Sequence, residues 1–191
     1  MDNLWRTILW KQLGAAIDML DNTLVACPDS LWRQPVWPDP SAPAQRTEFW
    51  YVAYHALVWL DLYLAGVPEE EFAPPAHFAQ GEIDADEELP DQPYTRAQLR
   101  AYLASLRQKC RDAVETMTDE RARQRVAYGW MREGEVVSYA ELQLYNMRHV
   151  QGHAAELSLL LGQRGVPGEQ LDWATRVADD PGGDVRVSQN L

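Results

Sequence analysis

Apolar residues recur at every third or fourth position from residue 3 to residue 26. Trp5, Leu9, Leu13, Ala16, Leu20 and Leu24 share one face at that spacing, which predicts an amphipathic helix ended by Pro28. A second helix is predicted over 48–65. Its segment from Phe49 to Leu60 is apolar on nearly every side, as in a helix buried within a bundle. Thr47 is its expected N-cap and Gly66 its left-handed C-cap, with Pro68 just beyond. Thr95 and Gln98 form a capping-box pattern that opens a third helix through Leu99, Leu103, Leu106, Cys110, Ala113 and Met117. Ser138 and Glu141 open the last helix in the same way, with Val137 and Leu142 spaced for a hydrophobic staple. That helix is expected to run to about Arg164 and to stop at Gly165 and Pro167.

The polar stretches between these segments read as connections. Residues 28–46 hold five prolines, a density that neither a helix nor a central strand tolerates. Trp32 and Trp37 within that loop are expected to pack onto the body. Residues 66–93 carry nine acids and no Lys or Arg, which predicts a solvated surface connection, with a lid or a cation-steering role as the alternative. Gly129 and Gly134 argue for a break within 119–137, and Gly134 to Val137 for a short extended piece. There is no alternating strand series, internal repeat or low-complexity tract. The expected fold is therefore all-α, a four-helix bundle with long loops after the first and second helices. The bundle is assigned to residues 1–168 and a partly ordered tail to 169–191. In that tail Trp173 is expected to anchor the first part, and the run from Asp179 to Gly183 to fray.

Composition narrows the class of protein. A chain of 191 residues with 46% hydrophobic and 24% charged residues suits one domain with a core that needs no disulfide staples. The net charge of −12 opposes binding to nucleic-acid backbones or to anionic membranes. Every apolar stretch is interrupted by charge before it is long enough to span a bilayer. The opening Met1-Asp2-Asn3-Leu4-Trp5-Arg6 lacks the pattern of a secretory signal, so a cytoplasmic location is expected. Cys27 and Cys110 are accordingly expected to be reduced thiols.

Four histidines are available for chemistry: His55, His77, His149 and His153. His149 and His153 are four apart on the last helix, hence on one face and one turn apart. His55 lies midway along the apolar second helix. If those helices face each other, His55 completes a three-histidine site with room for water or substrate. The spacing alone leaves a second reading open, in which the pair is an accident of the surface or core and His55 is a core histidine bonded to a backbone carbonyl. His77 sits beside Pro74 and Pro75 in the acidic loop and receives no role. Val150 stands where a zinc peptidase would carry its glutamate base, so hydrolysis by that route is disfavoured. There is no deaminase pattern, phosphate-cradling glycine loop or serine nucleophile elbow. Tyr51 and Trp59 lie one turn either side of His55, and Tyr145 and Glu156 flank the histidine pair. These four are candidates to orient a ligand or contact substrate, Glu156 as a carboxylate partner of a histidine.

At these residues the chain resembles the DinB/YfiT-like family of small four-helix-bundle metalloproteins. The resemblance rests on the mid-helix histidine in Ala53-Tyr54-His55-Ala56-Leu57, a long following loop containing Phe72-Ala73-Pro74-Pro75, and the pair in His149-Val150-Gln151-Gly152-His153. The closing Leu159-Leu160-Leu161-Gly162 and Gly165 complete it, so that it covers residues 3–168. It implies a divalent metal, zinc or nickel first, held by His55, His149 and His153. It also implies a transferase that uses a low-molecular-weight thiol such as mycothiol or bacillithiol. The alternative is a non-catalytic metal- or ligand-binding bundle. A small-molecule substrate and a homodimer are expected as partners, and nucleic acid and membrane are not.

Overall fold

The computed structural model describes residues 3–79, 81–83, 89–171 and 177–178. Four long helices carry the fold: α1 (Asn3–Ala26), α2 (Phe49–Ala65), α3 (Arg96–Glu115) and, after a short α4 (Asp119–Arg123), α5 (Tyr139–Gln163). Between α4 and α5 a two-stranded antiparallel hairpin pairs β1 (Arg125–Val126) with β2 (Val137–Ser138). The extended piece expected near Val137 is the second strand of that hairpin. The architecture is the expected all-α bundle.

Both capping boxes are present, Thr95 with Gln98 on α3 and Ser138 with Glu141 on α5. Gly66 ends α2 at φ 61°, where its N–H donates to Leu62 O. A Cβ at Gly66 would lie 2.7 Å from the Tyr139 ring, so close packing as well as backbone conformation requires glycine there. The end of α5 is a Schellman motif: Val166 N–H donates to Leu161 O and Gly165 N–H to Gly162 O.

The start of α2 differs from the sequence expectation. Glu48, not Thr47, occupies the N-cap position, and no side chain caps the helix. Thr47 is buried and its hydroxyl bonds to Ala44 O instead. The first free N–H groups are met by the preceding loop, where Phe49 N donates to Gln34 O at 2.9 Å and Trp50 N to Trp32 O at 3.1 Å. The proline-rich loop thus caps α2. Its Trp32 is pinned to the body by an indole hydrogen bond to Tyr94 O and a ring contact with Phe49. Two smaller corrections concern boundaries. α3 ends at Glu115, two residues before Met117, which is buried beyond the helix. Trp5, placed by periodicity on the inner face of α1, is 58% exposed because the first turn overhangs the core.

The helices are arranged in a ring. α1 packs against α3 and α5, and α2 packs against the same two, so α1 and α2 face each other across the diagonal. A diagonal step is longer than a step to a neighbour, which accounts for the long loop after α1. Val177 returns from beyond α5 to pack on Gly14, where a Cβ would meet its side chain at 2.6 Å. Trp173 and the run 179–183 lie outside the described residues. Cys27 and Cys110 are buried and free, as expected. Among the described residues no helix is long and apolar enough to cross a membrane.

Candidate metal centre

The interface between α2 and α5 is set by side chains of α5 that satisfy backbone groups of α2. A helix leaves its last carbonyls without partners. Here Gly66 N–H serves Leu62 O, Gln143 Nε2 serves Tyr63 O at 2.7 Å, Tyr139 hydroxyl serves Leu64 O at 2.8 Å, and Arg121 reaches Ala65 O. One turn further on, Asn146 Nδ2 reaches Leu60 O and Gln143 Oε1. Numbers rise along α5 while they fall along α2, so the two helices run antiparallel in fixed register. Gln143 and Asn146 are fully buried, and a slip of the register would strand their amides. The register brings His149 and His153 against His55.

The three imidazoles converge through their Nε2 atoms. His149 Nε2 lies 3.2 Å from His55 Nε2 and 3.1 Å from His153 Nε2. The three ligand atoms all lie within 4.8 Å of one another. His77 is elsewhere, packed on the Phe78 ring.

Carboxylates hold the outer nitrogens of two of the rings. His55 Nδ1 donates to Glu82 Oε1 at 2.5 Å, and His153 Nδ1 to Glu156 Oε2 at 2.8 Å. An ionised carboxylate only accepts, so both rings present an Nδ1–H to it, and in the neutral imidazole that tautomer turns the Nε2 lone pair inward. The protonation assignment follows from this network. Burial pushes Glu82 up, but hydrogen bonds from His55, Tyr51 and Trp59 outweigh it and hold the carboxyl below its ordinary range. Burial first, then His55 and His153, push His149 down to about 2. Burial likewise lowers His153, against an opposing pull from Glu156. Both imidazoles are therefore neutral at physiological pH, the state in which a lone pair is free to bind a cation.

This donor set fits a divalent metal. Two inward lone pairs, from His55 and His153, face the single Nε2 of His149, and one N–H cannot serve both well. His149 Nδ1 is buried with no hydrogen-bond partner, so either tautomer of that ring leaves a nitrogen unsatisfied. A cation among the three Nε2 atoms would engage every lone pair. The separations of 3.1 and 3.2 Å are those of two nitrogens about 2.0–2.1 Å from one ion at an angle of about 100°. The three-histidine group could hold a metal ion.

A cleft of about 240 Å3 opens beside the cluster, bounded by His55, His153, Tyr51, Glu82, Arg46 and Trp37. Arg46 is the cation on its wall, and its Nη2 donates to Gly81 O at 3.3 Å. The four residues nominated around the histidines divide into three kinds. Glu156 bonds His153, and Tyr51 and Trp59 both donate to Glu82 rather than to a histidine. Tyr145 packs flat on Trp130, with ring centroids 4.8 Å apart, and its own ring centroid is 6.3 Å from that of His149.

Glu82 is the residue that sequence reasoning missed. It was one acid among nine in a connection expected to be solvated, yet its side chain is only 5% exposed. The one signal that bears on it is the Tyr51, His55, Trp59 spacing, which lines up three donors on one face of α2. Arg46 and the register-setting pair Gln143 and Asn146 were also missed. The last two were legible as polar residues in phase with the histidines along an otherwise core-facing stripe.

A comparison with curated proteins returns no match. The sequence profile of the DinB superfamily matches residues 12–157, a span that takes in parts of all four long helices and the three histidines. The chain belongs to the DinB superfamily.

Proposed function

We propose that the chain is a divalent-metal-dependent enzyme of the thiol-transferase class, with zinc or nickel held by His55, His149 and His153. The observation that carries this reading is the convergence of three Nε2 atoms, two of them on rings whose Nδ1 protons are fixed by carboxylates. Three imidazole ligands with an adjoining cleft match a catalytic rather than a structural site, which would be closed by a fourth protein ligand.

A divalent cation held by His55, His149 and His153 would supply Lewis acidity that lowers the pKa of a thiol. The chain's own residues do the rest. Glu82 and Glu156 keep the His55 and His153 rings in one tautomer and orientation, so no reorganisation is needed when a ligand arrives. Arg46 offers a guanidinium on the cleft wall to an anionic group of either substrate. Trp37 and Val52 supply an apolar wall that excludes water from the reacting groups. The cleft volume of about 240 Å3 suits a small molecule and not a macromolecule.

Elemental analysis of protein purified without a histidine tag tests the metal. Stoichiometric metal in the wild type, lost in His149→Ala, is expected. Loss of a low-molecular-weight thiol in the presence of an electrophile, dependent on the metal, then tests the reaction class. Bound metal without any thiol turnover would favour a non-catalytic metal-binding bundle. Equal metal content in wild type and in all three single alanine variants would overturn the site.

A further inference from the structure

The acidic connection between α2 and α3 places one carboxylate deep in the fold. Glu82 Oε1 accepts from His55 Nδ1 and from Trp59 Nε1, the latter at 3.0 Å, and Oε2 accepts from the Tyr51 hydroxyl. The donors stand at positions 51, 55 and 59, one turn apart on α2. A carboxylate this far from water persists only where donors replace its hydration, and α2 supplies them as a stripe.

We infer that Glu82 is a positioning residue for the histidine cluster, fixing the Nδ1–H tautomer of His55 and tying the docking of its own loop to cation binding at the cluster. The inference rests on the metal reading of the three histidines, and it does not depend on the thiol chemistry. Glu156 does the corresponding service for His153, but it lies three residues along the same helix and is 46% exposed. Glu82 comes from a loop 27 residues distant and brings that loop with it.

The loop is seated at several points around this contact. Phe78 stacks on Tyr102, with ring centroids 4.6 Å apart. The Tyr94 hydroxyl accepts from Ala79 N at 2.7 Å, the Tyr54 hydroxyl donates to Ala79 O, and Arg46 reaches Gly81 O. These contacts lay the loop across the α2 and α3 side of the bundle at the edge of the cleft. Among the described residues of the loop, Glu82 alone touches the cluster itself. A cation on Nε2 withdraws charge from the imidazole and makes its Nδ1–H a stronger donor to Glu82. Cation binding therefore strengthens loop docking, and by linkage the docked loop raises cation affinity by the same factor.

The test uses the whole protein in wild-type, Glu82→Ala and Glu82→Gln forms. Cobalt(II) is titrated in and followed by its visible absorption, and amide exchange at residues 77–79 and 81–83 is measured with and without cobalt. The alanine form should bind cobalt about 10–100-fold more weakly and show an altered spectrum. Glutamine keeps an acceptor for Nδ1–H and should recover affinity to a value between alanine and wild type. In the wild type, cobalt should slow exchange in the loop, a readout that needs no variant to fold. Alanine binding within about twofold of wild type with an unchanged spectrum would overturn the inference. Loop exchange in the wild type that ignores cobalt would do the same. A wild type that takes up no cobalt at all would overturn the metal reading, and this inference with it, which separates the two failures.

Discussion

At the scale of the residue, burial sets the charge of His149 before any ligand arrives. Its folded pKa is pushed to about 2, against an ordinary 6.5 in the unfolded chain. The unfolded chain therefore binds more protons below 6.5, and the linkage runs toward loss of stability as pH falls from there towards 2. His153 acts in the same sense, and Glu82 adds to the loss below its ordinary 4.5. For the metal-free protein, the melting midpoint by circular dichroism should fall between about pH 7 and about pH 5, and the fall should be shallower in His149→Gln. The two thiols follow the opposite branch. Burial pushes Cys27 and Cys110 up to about 12, so the folded protein loses stability as pH rises above the ordinary 9. Neither cysteine should react with an aromatic disulfide reagent in the native protein near pH 8, and both should react once it is unfolded. Rapid labelling of the native form would contradict their burial.

At the scale of the element, the contact between α2 and α5 combines stability with site geometry. Gln143→Leu leaves the Tyr63 carbonyl without its donor and should cost about 1–3 kcal/mol in urea denaturation. The same variant should weaken cation binding, because the register that aligns His149 with His55 is then held by fewer bonds. Removing the Ser138 cap as Ser138→Ala should cost about 1 kcal/mol and leave cation affinity unchanged, since it acts on the helix start alone. Gly66→Ala meets both a left-handed backbone and the Tyr139 ring at 2.7 Å, and should destabilise more than the cap variant does. The helices themselves were legible in the sequence. Capping boxes, a left-handed glycine and a three-to-four-residue apolar repeat act within a few residues of one another. The exception, Thr47, fails for the opposite reason: carbonyls of Trp32 and Gln34, supplied by a loop distant in sequence, take the place a local cap would have filled.

At the scale of the whole molecule, the ring order places α2 between α3 and α5, with the histidine cluster on the α2–α5 side. The net charge of −12 favours approach of cations and opposes that of nucleic acid. No shift of duplex DNA is expected in a gel assay at micromolar protein and low salt. A shift that weakens steeply with added salt would contradict this.

The amino-acid sequence by itself determined the four long helices, most of their ends, the all-α class and the shared face of His149 and His153. Each of these is written in neighbouring residues: helical periodicity, capping pairs, and an i, i+4 spacing that places two imidazoles on one face. Tertiary structure alone decided that α1 and α2 lie across the diagonal, that side chains of α5 complete the carbonyl end of α2, and that Glu82 leaves its acidic loop to bond His55. Nothing local distinguishes Glu82 from the acids around it. Its burial becomes favourable only when the donors of Tyr51, His55 and Trp59 are assembled on a folded helix and the loop is laid against them, a condition met over 27 residues of chain and not within any one segment of it.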